Sequence, residues 1–244
     1  MLFIVRMVLL SVHFIVASLV GLVVCLVRPF NPDNSRIAGR LYASLALPIL
    51  GVRVQSERLP VRPAPCVYVA NHQSNYDLFV MGGIIAPRTV SLGKKSLKYV
   101  PLFGQLYWLS GNVLIDRGNA LRSRQSMAKT TETLRHRNTS IWFFAEGTRN
   151  PSGQLLPFKK GAFQMAIAAG VPIVPVCASS YMRHIDLNRW NSGTVLIEAL
   201  PEISTTGLGP EDVPTLLAQC HAQMQQRIRE LDARVVQGDL SADT

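Results

Sequence analysis

The sequence predicts an α/β fold: a mixed, largely parallel sheet flanked by helices, preceded by an N-terminal membrane-associated helical segment. Three observations predict it. Short β-branched and aromatic runs alternate with helix-length segments from residue 51 onward, the pattern of βαβ units. Residues 7–27 carry no formal charge and are bounded by Arg6 and Arg28. The chain as a whole is basic, at +10 over 244 residues, which suits an anionic membrane face or phosphorylated ligands. Residues 1–50 are expected to form the anchor, a hydrophobic helix plus an amphipathic one, and residues 51–244 the α/β domain.

At about 1.5 Å per residue, segment 7–27 is long enough to cross a bilayer. It exceeds the roughly 7–15 residues of a signal-peptide core, and no A-x-A-like site follows, so a cleaved leader fits less well. His13 speaks against a deep span, which leaves lying in one leaflet as the alternative. Arg28, Arg36, Arg40 and Arg53 outnumber Arg6, so the positive-inside bias puts the main domain on the cytoplasmic face. Residues 35–50 place Ile37, Leu41, Leu45 and Leu47 among Arg36 and Arg40. That helix either lies on the membrane surface or packs on the core.

A short strand over 52–57 comes next, then a loop with three prolines, "RLPVRPAPC". Strands are expected at 66–70, 89–93, 112–116, 140–145, 172–178 and 194–200, and helices at 75–85, 102–109, 120–136, 161–169 and 213–236. The last helix has the clearest period: Leu217, Cys220, Met224, Ile228, Leu231 and Val235. Ligands of such sheets bind beyond the carboxyl ends of the strands, and the chemistry-bearing residues fall there.

Hydrophobic residues make up 48% of the chain, too few for a polytopic membrane protein. Cys25, Cys66, Cys177 and Cys220 are widely spaced and read as buried apolar side chains, neither zinc ligands nor a disulfide frame. G-x-S-x-G, Walker A, G-x-G-x-x-G and H-E-x-x-H patterns are absent. The basic residues lack the interleaved aromatics of a nucleic-acid surface.

"VYVANHQSNYDLF", residues 67–79, runs from a strand into His72 and Asp77. On a continuous helix five residues rotate about 500°, so the two would not share a face. A turn before the helix would let Asp77 accept the Nδ1–H of His72 and leave Nε2 as a base. The competing reading is a helix start with Ser74 as N-cap, Asp77 in a capping box, and an incidental histidine. A His–Asp pair without a protein nucleophile fits direct transfer to a substrate hydroxyl.

"GNVLIDRGN" ends a strand at Asp116-Arg117, where Arg117 either clamps a phosphate or joins a loop network with Asp116. "IWFFAEGTRNPSG" ends another strand at Glu146-Gly147-Thr148-Arg149. Gly147 permits close backbone approach, and Arg149 offers a second clamp. Glu146 either holds Arg149 or binds a substrate hydroxyl. A solvated ion pair on a turn is the plainer reading. Lys159 and Lys160 precede a helix, a further place for anions. Lys94, Lys95 and Lys98 form a basic patch for lipid head groups or an acidic carrier protein, and one of them could stabilise an oxyanion. "VPIVPV" reads as a buried strand.

Together, "NHQSNYD", "GNVLIDR", "FAEGTR" and "VPIVPV" resemble, in order and spacing, the four blocks of the glycerolipid acyltransferases of the HxxxxD type. "GKKSLKYVPLFGQLYWLSGN" and the apolar amino terminus extend the likeness over nearly the whole chain. The resemblance implies a glycerol-3-phosphate acyltransferase-like fold at the cytoplasmic face of a bacterial inner membrane. It implies transfer of an acyl chain from acyl-CoA or acyl-acyl carrier protein to the sn-2 hydroxyl of lysophosphatidic acid, forming phosphatidic acid in phospholipid biosynthesis. It makes His72 the general base and Asp77 its partner. Arg117, Glu146, Gly147 and Arg149 fall on the blocks tied to the acceptor's phosphate, and Lys94 and Lys95 are candidate oxyanion or donor contacts. The expected partners are the acyl donor, the lipid acceptor and the anionic bilayer, with no cofactor, metal or nucleic acid. Ala145 stands where the third block usually has proline, with a small effect expected. Rival acceptors are another lysophospholipid, glycerol-3-phosphate or an aminolipid. The rival of another class is a non-catalytic basic membrane adaptor.

Overall fold

The computed structural model describes residues 1–56, 65–116, 130–132 and 138–242. Its elements are α1 (Leu2–Val27), α2 (Asp33–Leu50), β1 (Val52–Ser56), β2 (Val67–Ala70), α3 (Asp77–Val80), β3 (Thr89–Lys94), α4 (Phe103–Leu109), β4 (Val113–Ile115), β5 (Ser140–Phe144), α5 (Gly161–Ala169), β6 (Ile173–Ala178), β7 (Gly193–Ala199) and α6 (Val213–Ala242). Among the described residues the sheet has seven strands in the order β1-β7-β6-β2-β5-β3-β4. Every pairing is parallel except β6 with β7, so the sheet is mixed and largely parallel, as the sequence predicts.

Both faces of the sheet are covered, and strict alternation along the central strands feeds both. Val67 and Val69 of β2 join Ile141, Phe163, Ile173, Met224 and Leu231 in the core under α5 and α6. Tyr68 and Ala70 join Trp142, Val174, Tyr42, Phe79 and Leu106 in the core under α1 to α4. A fully buried Val, Ile or Phe contributes on the order of 1.5–3 kcal/mol, so these strands hold the centre of the fold. On α6 the buried series is Val213, Leu216, Cys220, Met224, Ile228, Leu231 and Val235, with Leu217 only partly buried. The predicted period holds from Cys220 onward, but Val213 and Leu216 take the place of Leu217 at its start.

The helix α1 begins before Arg6, because the arginine is turned inward. Its guanidinium donates to Leu187 O (2.9 Å), Trp190 O (2.9 Å) and Ser192 Oγ (2.5 Å). His13 Nε2 pairs with Tyr42 O at 3.0 Å, and Ser18 Oγ with Tyr42 Oη at 2.7 Å. Those contacts fasten one side of α1 to α2 and to the loop before β7. The other side exposes Val5, Val8, Leu9, Val12, Val16, Leu19, Val23 and Leu26. Among the described residues α1 is the one helix long and apolar enough to cross a membrane. On α2, Tyr42, Ala46 and Leu50 are buried in the core it shares with α1 and the sheet, and Leu45 is exposed.

The helix expected over 75–85 is broken. Asp77–Val80 is one α turn, followed by a 3₁₀ turn at Gly82–Ile84. The cause is the approach of α2: a Cβ on Gly82 would lie 2.7 Å from Gly39 O. The two glycines let the backbones touch, and that contact replaces helical continuity. The helix expected over 120–136 lies outside the described residues except for 130–132, which are helical. All four cysteines are buried, and none is in a disulfide.

Candidate active site

Three central strands run parallel and end at one edge of the sheet. From their carboxyl ends emerge His72 (after β2), Glu146 to Arg149 (after β5) and Ser179 to Tyr181 (after β6). The chain leaves β2 towards α3 on one face and β5 towards α5 on the other, which opens the crevice between them.

Within the loop after β2, His72 Nδ1 lies 2.6 Å from Asp77 Oδ2. The same oxygen accepts the backbone N–H of Gln73 (2.8 Å) and of Ser74 (3.0 Å), and Oδ1 accepts the Tyr181 hydroxyl at 2.6 Å. Asp77 is 2% exposed, and His72 is 22% exposed. The five-residue spacing therefore closes through a turn, not along a helix face. The helix-start reading survives in altered form. Ser74 Oγ accepts the N–H of Tyr76 at 2.9 Å, and Asp77 takes the N–H of Ser74. Asp77 thus serves the turn and the histidine together.

The imidazole stacks on Phe144, with ring centroids 4.0 Å apart and planes 16° from parallel. Both backbone polar groups of His72 are tied to the loop after β5. Its N–H donates to Glu146 Oε1 (2.7 Å), and its carbonyl accepts Asn150 N–H (2.8 Å). Among the described residues Nε2 has no hydrogen-bond partner. A neutral imidazole donating from Nδ1 to Asp77 keeps its Nε2 lone pair for a substrate proton.

Glu146 is 3% exposed, and its second oxygen accepts Leu156 N–H at 3.0 Å. Burial raises its pKa above the ordinary carboxylate value, against the lowering effect of the two backbone donors. Gly147 sits at φ 72°, where a side chain would be strained, and lets the Lys159 stem lie over it. Ala145, the departure from the third block, is buried, and its carbonyl accepts Lys159 N–H at 2.7 Å. Arg149 is exposed and donates to Asn75 Oδ1 at 2.5 Å, bridging the two loops. Lys94, exposed, and Lys95, paired with Asp116 at 3.3 Å, lie at the carboxyl end of β3, on the same edge of the sheet. Arg117 lies outside the described residues.

Sequence reasoning missed several residues that hold the site. Asn71 continues the β2–β6 ladder through its side chain, donating to Ala178 O and accepting Ala178 N–H, each at 2.9 Å. Gln73 Nε2 donates to Ser179 O at 2.7 Å. Phe144 and Tyr181 carry no local signal for their roles. Their partners are far away in the chain, and only strand order brings them together.

Comparison with known proteins agrees with this geometry. The acyltransferase family model matches residues 51–179. The chain is 43% identical over 240 residues to the 1-acyl-sn-glycerol-3-phosphate acyltransferase of Escherichia coli, covering 97% of each chain. It is 35% identical over 218 residues to the human 1-acyl-sn-glycerol-3-phosphate acyltransferase alpha, covering 88% of this chain and 77% of that one. The fold superposes on the crystal structure of the 1-acyl-sn-glycerophosphate acyltransferase PlsC from Thermotoga maritima. The TM-score is 0.72 at 23% identity, covering 95% of this chain and 98% of that one. With a family model over more than half its length and close relatives from end to end, the chain belongs to the acyltransferase family.

Proposed function

We propose that this acyltransferase moves a fatty acyl chain from a thioester donor to the sn-2 hydroxyl of lysophosphatidic acid. The observation that carries the proposal is the His72–Asp77 pair at 2.6 Å, whose Nε2 has no partner among the described residues, at a strand-end crevice. The names of the end-to-end relatives supply the acceptor. In the proposed step His72 Nε2 takes the proton of the acceptor hydroxyl as the oxygen attacks the thioester carbonyl. The tetrahedral oxyanion collapses, the carbon–sulfur bond breaks, and the imidazolium returns the proton to the leaving thiolate. Asp77 keeps the imidazole in the productive tautomer and offsets its transient charge. No cofactor enters the scheme, and the donor is acyl-CoA or acyl-acyl carrier protein.

Arg149, with Arg117 and the turn that Gly147 permits, is proposed to receive the acceptor's phosphate. Arg149 is exposed and forked, and its present partner, the neutral Asn75, is readily exchanged for a dianion. Lys94 and Lys95 are the proposed contacts of the oxyanion or of the donor's phosphates. Glu146 is proposed to act by holding the His72 and Leu156 backbone, since both of its oxygens are committed there. The test is purified protein with lysophosphatidic acid and labelled acyl-CoA or acyl-acyl carrier protein. Phosphatidic acid is the expected product, and its absence with both donors sinks the proposal. Arg149→Ala is expected to raise the apparent KM for the acceptor by about 10-fold or more, the scale of a charge-assisted contact. An unchanged acceptor KM with impaired donor use would move Arg149 to the donor site.

The proposed location is the cytoplasmic face of the membrane, with α1 lying in one leaflet. A 26-residue helix is about 39 Å long, enough to cross the hydrocarbon core. Crossing would carry the loop held by Arg6, and the α2 contacts of His13 and Ser18, into lipid, where polar groups are costly. Lying flat presents the exposed Val and Leu face to acyl chains and leaves those contacts in place. Single cysteines introduced at positions 3 and 27 are then expected to react with an impermeant reagent from the same side of sealed vesicles. Labelling from opposite sides would establish a span.

A further inference from the structure

We propose that Tyr181 is a positioning residue for the transfer reaction: its buried hydroxyl fixes the plane of the Asp77 carboxylate that orients His72. The inference rests on the reading of His72 and Asp77 given above, and it adds a member that no motif in the sequence contains.

The geometry assigns the two oxygens of Asp77 different duties. Oδ2 accepts three donors: His72 Nδ1–H, Gln73 N–H and Ser74 N–H. Oδ1 has a single partner among the described residues, the Tyr181 hydroxyl at 2.6 Å. Held through Oδ2 alone, the carboxylate could still rotate about its Cβ–Cγ bond, and the lone pair facing His72 would move with it. Held at both oxygens, it has one orientation. The hydrogen bond is also the means by which a buried carboxylate, 2% exposed, satisfies an oxygen that water does not reach.

Tyr181 is itself fixed. It is 1% exposed, its N–H donates to Ser179 O at 2.7 Å, and the preceding residue is held by α6 through Ser180 N–H to Asp232 Oδ1 at 2.6 Å. Burial first, and the charge of Asp77 second, push the phenol's pKa far above its ordinary value, so it keeps its proton and donates. With that proton committed to Asp77, the Ser74 hydroxyl at 3.1 Å is the donor to the phenol oxygen. The result is a directed chain, Ser74 to Tyr181 to Asp77, that meets the Nδ1–H of His72 from the opposite side. Its members come from the loop after β2 and the turn after β6, so the chain also ties those two strand ends together across the crevice. A ring that only filled the core would need no hydroxyl, and a phenylalanine would serve equally there.

Tyr181→Phe therefore separates the two roles, because it keeps the ring and removes one oxygen. The expected result is a fall in kcat of about 10- to 100-fold, the scale of a misplaced catalytic group, with KM for acceptor and donor within about 2-fold of wild type. Incorporation of 3-fluorotyrosine at 181, which restores a donor, is expected to return most of the lost rate. In a His72→Ala background, Tyr181→Phe is expected to leave the residual rate unchanged, because the group it positions is gone. A Tyr181→Phe enzyme with wild-type kcat overturns the inference. So does a rate loss that 3-fluorotyrosine does not restore, or one that persists undiminished without His72. Near-normal turnover by His72→Ala would instead remove the base reading itself. An inactive His72→Ala beside a fully active Tyr181→Phe would remove the positioning role alone.

Discussion

His72→Ala is expected to fold and melt like the wild type and to lose about 10²–10⁴-fold in kcat, the usual worth of a positioned general base. That loss corresponds to about 3–5.5 kcal/mol of barrier. The structural cost of the change is bounded by what the imidazole touches. The ring is partly exposed, stacks on Phe144 and donates once to Asp77. After truncation Asp77 keeps the N–H groups of Gln73 and Ser74 and the hydroxyl of Tyr181, so no bare buried charge is left to unfold the turn. The backbone of residue 72 remains tied to Glu146 and Asn150, since those bonds need no side chain. Rate and stability should therefore separate: product formation measured against donor release gives the first, and thermal unfolding in detergent the second. A variant that turns over near the wild-type rate refutes His72 as the base.

Glu146→Gln is expected to lower kcat on the order of 10–100-fold while leaving the acceptor KM within about 2-fold. Glu146 presents two acceptor oxygens to two backbone donors, His72 N–H and Leu156 N–H. Glutamine has one acceptor oxygen, so its amide must face one of those donors with a donor of its own. An N–H left unsatisfied in a buried place costs about 1–3 kcal/mol. The loop that carries the base then loosens by a fraction of an ångström, which is enough to slow the chemistry. If Glu146 bound the acceptor directly, KM would rise instead, and that outcome would return it to the substrate site. The pH dependence has a definite sign. Burial raises the folded-state pKa of Glu146 above 4.5, so the folded state binds its proton more tightly than the unfolded chain does. The stability this contributes is fully present below about the unfolded value and is lost as pH rises through the raised folded value. Relative to Glu146→Gln, the wild type should gain stability as pH falls from neutral towards 4.5. Parallel stability curves through that window would show that the carboxyl is not under the strain its burial implies.

The two substitutions also mark where sequence and structure part. The strands were legible because their pattern is local: Val67-Tyr68-Val69 and Ile141-Trp142-Phe143-Phe144 are β-branched and aromatic runs bounded by turn residues. The helix over 75–85 was misread because its end is set by a contact that no local pattern carries. Gly82 reads as a permissive residue in sequence, and only the packing of Gly39 against it explains the break. Glu146 shows the same limit at the site. In sequence it sits beside Arg149 and suggests a partner for that arginine. In the structure it faces inward to the neighbouring strand's loop, and Arg149 reaches out to Asn75.

By itself the sequence determined the mixed α/β class, the apolar amino-terminal helix, the lack of a G-x-S-x-G pattern, and the four ordered blocks that resemble the acyltransferases. Each is written in residue type and short-range spacing, which is the range over which side-chain pattern controls backbone choice. Only the tertiary structure decided that His72 and Asp77 meet through a turn, that Glu146 holds backbone, and that Tyr181 closes the second side of the Asp77 carboxylate. Those relations depend on β2 lying between β5 and β6 in the sheet, so that residues 72, 146 and 181 emerge together at one edge. Strand order is a property of the packed sheet as a whole, and no window of sequence contains it.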